Sequence, residues 1–249
     1  MSEIAKLILL FLVGSVAGFI NVMAGGGSTL SLPILIFLGL ESSMANGTNR
    51  IAIFIQNVSA VVSFKQEKFA QFKLSLKLAA FTLPGAIIGA VIAVNISNEL
   101  FQKILAIVMI GIIFMLLTPK SKKQFKTETG DYNPWLLYPA LIGIGFYGGF
   151  IQAGVGFIIM ATLHYIMRLN LIHVNMHKVF IIGLYMIPAI LVFYFTDNIN
   201  WLYGLLLAGG NAFGAWWAAK LAVKKGEKVI RGVLLVAIFI MAMKLLKIF

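Results

Sequence analysis

The chain contains no cysteine, which excludes disulfide staples, thiolate metal sites and thiol nucleophiles. Charge is also scarce: Asp, Glu, Lys and Arg make up 11% of the 249 residues, where a soluble domain carries about a quarter. Acids are scarcest, and all eight (Glu3, Glu41, Glu67, Glu99, Glu128, Asp131, Asp197 and Glu227) fall near expected helix ends or in loops. A cation carrier or a carboxylate-driven proton pump keeps an acid at membrane depth; this sequence offers none. It also lacks a nucleotide-binding motif and the alternating ten-residue pattern of an outer-membrane barrel.

What is present is apolar. Hydrophobic residues reach 61% and the mean hydropathy is +0.98, more than a globule in water can cover with polar surface. Several runs of ~20 apolar residues have the length that a bilayer-spanning helix requires, and the expected fold is an all-α polytopic membrane protein. The net charge of +12 is read mainly as loop charge on the cytoplasmic side, with a second reading as attraction of anions to the mouths of a pathway. Trp135, Tyr138, Trp201, Tyr203, Trp216 and Trp217 suit interfacial anchoring, and the eleven methionines suit packing.

The sequence reads twice. "GFINVMAGGG" at Gly18 to Gly27 has a partner in "GFIQAGVG" at Gly149 to Gly156, and Gly25 falls on Gly154 at an offset of 129 (154 − 25). The same offset carries Asn46 onto Asn175, while Gly85 and Gly89 match Gly210 and Gly214, and Glu99 and Lys103 match Glu227 and Arg231, at nearly equal offsets. Residues 1–118 form a first repeat and 135–249 a second, joined by a polar linker at 119–134. Expected helices cover 4–22, 28–39, 45–64, 72–94 and 99–118, then 135–152, 155–168, 171–195, 200–220 and 227–248. The first 25 residues contain the elements of a signal peptide, but their internal recurrence argues against cleavage.

Loop charge orients the halves. Lys65, Lys68, Lys73 and Lys77 follow the third helix of the first half, while its counterpart "TDNIN" (Thr196 to Asn200) has only Asp197. The next loops reverse the contrast: "NISNE" against Lys220, Lys224, Lys225, Lys228 and Arg231. Lys120, Lys122, Lys123 and Lys126 mark the linker as cytoplasmic. Equivalent loops then lie on opposite sides, as inverted-topology repeats require. Each half begins with a broken pair, either a re-entrant hairpin or two crossing helices, followed by three transmembrane helices. The hairpin is favoured because 28–39 and 155–168 are short. The expected location is the cell (inner) membrane, multi-pass, with both termini outside.

The break in each half is the candidate site. Three consecutive glycines, each costing ~1 kcal/mol in a helix, interrupt an apolar run from Lys6 to Leu40. Gly25, Gly26 and Gly27 are read as turning the backbone and freeing amides at the helix starting near Ser28, with Gly154 and Gly156 opposite. Two such ends converging near the midplane make a pocket for a small oxyanion. The alternative use of glycine is close helix packing, which is preferred for Gly14, Gly18, Gly85, Gly89, Gly210 and Gly214. Thr48, Asn49, Arg50, Gln152, Asn175, His177 and Lys178 complete the pocket, and Asn21 holds a comparable place in the first half. Arg50 suits a bidentate grip or snorkelling to a headgroup; Lys178 suits a point charge. His177 reads as a neutral donor, with proton coupling as the alternative. No metal, cofactor or nucleic acid is expected. The expected partners are a small anion, lipid, a coupling ion (proton or sodium) and, as an option, further copies of the chain.

"GFINVMAGGGSTLSLPIL", "ANGTNRIAIFIQNVSAVVSF" and "LPGAIIGAVIA" resemble the TauE/SafE-type sulfite exporter family of membrane permeases. The likeness covers nearly the whole chain. It departs in the second half, where Val155 interrupts the glycines and His177-Lys178 stands against Thr48-Asn49. The resemblance implies transport of sulfite, sulfoacetate or a related organosulfonate. An anion channel, or a carrier of another small organic anion, is the rival reading. A membrane-embedded enzyme is disfavoured because His164, His173 and His177 have no acid or Cys to join them.

Overall fold

The computed structural model describes residues 3–69, 71–117, 132–226 and 229. Among these are nine helices: α1 (Glu3–Ala24), α2 (Ser28–Phe37), α3 (Ser42–Gln66), α4 (Phe72–Asn95), α5 (Asn98–Leu117), α6 (Pro134–Phe150), α7 (Val155–Tyr165), α8 (Leu171–Phe195) and α9 (Trp201–Lys225). The described residues hold no strand. The expected helix at 227–248, most of the 119–134 linker and the Glu227 and Arg231 matches lie outside the described residues. Elsewhere the helices fall within a few residues of expectation.

Local chemistry sets the boundaries. Asn133 accepts the Trp135 N–H ahead of Pro134 at the first helical position, which caps α6. Asn170 accepts the His173 N–H at 3.0 Å and Asn200 the Tyr203 N–H at 3.1 Å, capping α8 and α9. Gly226, at φ 70, ends α9. By length and composition α1, α4 and α8 can each cross a membrane. With 10 and 11 residues, α2 and α7 reach only ~15 Å, about half the hydrocarbon thickness. α3 is as long as α8 but far more polar, and its Asn46, Asn49, Arg50, Gln56 and Asn57 are all buried. Its polar face turns into the protein, where intramembrane polar groups find partners.

Glycine stripes decide which helices pair. A Cβ on Gly14 or Gly18 would strike the backbone of α9 near Leu207 and Asn211, and one on Gly210 or Gly214 would strike α1 at Phe11 and Ser15. The same arrangement recurs where Gly85 and Gly89 on α4 meet Gly145 and Gly149 on α6. The packing role expected for these glycines is therefore what the structure shows, because only a missing side chain allows such an approach.

Two groups of three long helices result. α1, α3 and α9 run parallel: Gly14 lies beside Gly210, and the Ser59 and Ser63 hydroxyls donate to the Ala212 and Trp216 carbonyls. α4, α6 and α8 form the second group, with α6 against α4 and Ser75 of α4 bonded to His177 of α8. The groups meet where α3 and α8 run antiparallel, Gly47 beside Phe193 and Asn198, and Asn57 beside Gly183.

Candidate functional site

The two helix breaks touch. α1 stops because Gly25 adopts φ +90, and α6 stops ahead of a turn through Gln152 (φ 61) and Gly154 (φ 73). Left-handed backbone at Gly25 and Gly154 is cheap only for glycine. A Cβ on Gly25 would come within 2.8 Å of the Gly156 Cα and 2.7 Å of the Phe157 nitrogen, and one on Gly156 would meet Gly25 in return. The first break lies level with the middle of α3, since Asn21 near the end of α1 bonds Gln56 near the midpoint of that 25-residue helix.

Two expectations change here. Within the triplet only Gly25 turns the chain; Gly27 is right-handed at φ −58, ψ −36, and lacks a side chain because Ala17 and Asn21 of α1 press against it. Gly26 faces the Phe157 ring. Where Gly25 meets Gly156 the converging helix ends also pack backbone against backbone instead of facing each other across open space. The freed donors are nonetheless present. The buried N–H groups of Gly26, Gly27 and Ser28, and those of Gly154 and Gly156, make no turn or cap hydrogen bond, and neither α2 nor α7 has a side-chain cap.

Arg50 and Lys178 each bind one of these two helix ends. From α3, the Arg50 guanidinium donates to the last carbonyls of α6: Gly148 at 3.0 Å, Gly149 at 2.5 Å and Phe150 at 3.3 Å. Asn46, one turn earlier, donates to the Phe150 carbonyl at 2.8 Å and accepts from Arg50 at 3.3 Å. From α8, the Lys178 ammonium donates to the last carbonyls of α1, Asn21 at 2.9 Å and Val22 at 2.6 Å, and to Asn175 at 2.8 Å. Asn175 in turn donates to the Met23 carbonyl. Cations belong at helix C-termini, where the dipole is negative and carbonyls lack partners.

Neither cation has an acid beside it. Arg50 is 0% and Lys178 1% exposed, while the ion pairs among the described residues (Glu3–Lys6, Glu99–Lys103 and Glu67–Lys224) are peripheral. A helix end supplies roughly half an elementary charge, which leaves each full positive charge partly uncompensated in the interior.

Side-chain amides add donors of the same sign. Asn49 Oδ1 accepts the Ser31 hydroxyl at 2.7 Å, Gln56 Oε1 accepts Asn21 at 3.2 Å, and Gln152 Oε1 accepts the Tyr185 hydroxyl at 2.8 Å. In all three the oxygen is engaged and the NH2 group is buried without a partner, as is Arg50 Nε. The backbone carbonyl of Gln152 also accepts the Ser28 hydroxyl at 3.2 Å, tying one break to the other. Unpaired buried oxygens occur at Asn57 and Asn211, but donors predominate around the breaks. Such groups cost about 1–3 kcal/mol each when left unmade.

The structure therefore gathers Gly25, Gly26, Gly27, Ser28, Asn49, Arg50, Gln152, Gly154, Gly156, Asn175 and Lys178 around one centre. It separates two expected members. Thr48 turns to the start of α9, its hydroxyl accepting the Asn200 N–H at 2.9 Å. His177 turns to α4, with Nδ1 bonded to Ser75 at 2.8 Å, while Lys178 turns to the end of α1. His164 and His173 bond elsewhere, to Leu169 and Asn170, and no three His, Asp or Glu groups converge among the described residues. Gln56 and Tyr185 join the site unannounced, although they too lie 129 positions apart (185 − 56). Tyr147 supports the second break from its own helix by donating to the Ala153 carbonyl. A groove of about 300 Å³ between α1 and α9, lined by Ser15, Val16, Phe19, Ile20, Phe213, Gly214 and Trp217, has no charged side chain in its lining.

Comparison with known proteins places the chain in a family. The chain is 27% identical to a probable membrane transporter protein of Haemophilus influenzae, covering 96% of this chain and 94% of the relative. It is 27% identical to the probable membrane transporter protein YfcA of Escherichia coli K12 (96% and 88% covered) and 23% identical to YunE of Bacillus subtilis (96% and 97%), described in the same words. No solved structure matches. These relatives are transporters rather than enzymes, and the match to the family described as "Sulfite exporter TauE/SafE" runs over residues 10–245: the chain is a membrane protein that belongs to the TauE/SafE sulfite exporter family.

Proposed function

We propose that the chain is a secondary transporter of a small sulfur-containing oxyanion (sulfite, sulfoacetate or a related organosulfonate) that works by alternating access and is driven by a proton or sodium gradient. One observation carries the anion: two fully buried cations without acid partners stand among unpaired N–H donors at the breaks. Donor groups fixed in a dry interior favour a ligand that supplies acceptors and negative charge. The family description supports sulfur as the central atom. The antiparallel meeting of α3 and α8, and left-handed glycines at equivalent positions in both breaks, support inverted repeats. The lysines after α3 and α9 support a cytoplasmic linker in the inner membrane, with both termini outside.

The test is uptake of radiolabelled sulfite into vesicles containing the purified protein. Saturable uptake with counter-exchange, inhibited by sulfoacetate and not by the zwitterion taurine, is the expected result. Uptake no greater than in protein-free vesicles for every anion offered would overturn the reading, and current linear in concentration would make the protein a channel.

A further inference from the structure

Arg50 and Lys178 are the two buried charges of the described residues, and their hydrogen bonds follow a crossed pattern. Arg50 sits on α3, in the first half of the sequence, and binds the carbonyl end of α6, in the second. Lys178 sits on α8, in the second half, and binds the carbonyl end of α1, in the first. The crossing also joins the two packing groups, since α3 packs with α1 and α9 while α6 packs with α4 and α8. Neither α1 nor α6 has a basic residue in its own last turn. Each broken helix therefore depends on a cation lent from the opposite half. Each cation carries an asparagine with it, Asn46 beside Arg50 and Asn175 beside Lys178, bonded to the cation and to the same helix end.

We propose that Arg50 and Lys178 are positioning residues, crossed latches that each hold the opposite half's helix break shut. The inference rests on the transport reading and specifies how that site is kept closed. A helix end offers each cation only fractional negative charge, whereas an oxyanion offers a full one. An anion arriving at the breaks thus competes with the carbonyls for the cation, and a latch that lets go releases the break on the other side of the α3–α8 interface. Loading and opening are then the same electrostatic event. The two latches differ in kind. Arg50 reaches three carbonyls with a planar fork, whereas Lys178 offers a single point, so the second-half break is held by the more extensive contact.

Because the chain has no cysteine, one introduced thiol reports on one place. Ala24 and Ala153 are small, fully buried and next to the first and second breaks. Ala24→Cys and Ala153→Cys would each be placed in the otherwise intact chain, alone and combined with Arg50→Gln or Lys178→Met, and alkylated by a small maleimide in anion-free buffer. The expected result is crossed. Arg50→Gln accelerates labelling at Ala153→Cys, and Lys178→Met accelerates it at Ala24→Cys, each about tenfold, on the scale of losing a charged hydrogen-bond set; the opposite thiol stays protected. Arg50→Lys restores most of the protection.

Uncrossed labelling, with each variant exposing the thiol of its own half, overturns the proposal. So does equal exposure of both thiols, which is general loosening, or no change at either, which would make the cations ligands alone. Should Arg50→Gln fail to fold, the Lys178→Met arm and the Arg50→Lys comparison still decide it. No substrate enters the assay. A failure to transport sulfite would therefore count against the proposed function and leave the latch result standing.

Discussion

At the residue scale, consecutive glycines do different work. Gly25 carries the left-handed backbone and abuts Gly156, whereas Gly26 keeps only the rim of the Phe157 ring at a distance. Alanine at Gly25 must bear a conformation that costs about 1–3 kcal/mol for a non-glycine residue and must also push against backbone that cannot yield. Alanine at Gly26 needs only a side-chain rotation. Gly25→Ala is therefore expected to lower the thermal midpoint in detergent and to lose most anion uptake, and Gly26→Ala to retain both; equal loss in the two would contradict this division. At Gly154 the obstruction is the Ile112 side chain, so strain dominates. Asparagine, which tolerates left-handed backbone, should preserve more uptake there than valine does. The glycines and the two buried cations were legible in the sequence because composition alone marks them as misplaced in an apolar run. What Arg50 and Lys178 hold was not legible, since a bond to a backbone carbonyl leaves no trace in side-chain pattern. Thr48 and His177 bond other helices, Thr48 the start of α9 and His177 α4, contacts between elements distant in the chain that residue type and spacing do not specify.

At the element scale, stability depends on which glycine face meets another helix. On α6, a Cβ at Gly145 would collide with the Thr82 backbone of α4, while one at Gly143 meets nothing within 4 Å. Overpacking of a tight contact costs about 1–3 kcal/mol, whereas leucine on an open helix face gains propensity over glycine. Gly145→Leu should thus melt well below the parent in a detergent thermal scan, and Gly143→Leu at or above it. A reversed order would mean that α4 and α6 do not pack along this stripe. The four-residue spacing of Gly14–Gly18, Gly85–Gly89 and Gly210–Gly214 was visible in the sequence and named the right residues for packing. It could not name the partners, because any small stripe fits any other. Pairing α1 with α9 and α4 with α6 emerges only from the three-dimensional arrangement, and it interleaves the sequence halves: each group of three parallel helices takes two members from one half and one from the other.

At the scale of the whole molecule, the repeats make a claim about sidedness. α3 has 25 residues, ~37 Å at 1.5 Å per residue, enough to separate its two ends by a bilayer. The loop after α8 lies beside the start of α3, with Asn198 against Gly47 and Asn200 bonded to Thr48. The loop after α3 lies at the far end, where Glu67 pairs with Lys224 of α9. Loop charge follows the same division. Lys65, Lys68, Lys220, Lys224 and Lys225 gather at one end, and Asp197 is the charged residue of the loop at the other. An excess of Lys and Arg in short loops marks the cytoplasmic side, so the end bearing Glu67 and Lys224 should face inward and the end bearing Asp197 outward. Lys65→Cys and Phe195→Cys, both exposed positions, test this directly. A membrane-impermeant maleimide applied to intact cells should label Phe195→Cys and reach Lys65→Cys only after the membrane is opened. Labelling of both from one side would place equivalent loops together. Alternating access between oppositely oriented repeats would then have no geometric basis, however well the helix breaks bound an anion.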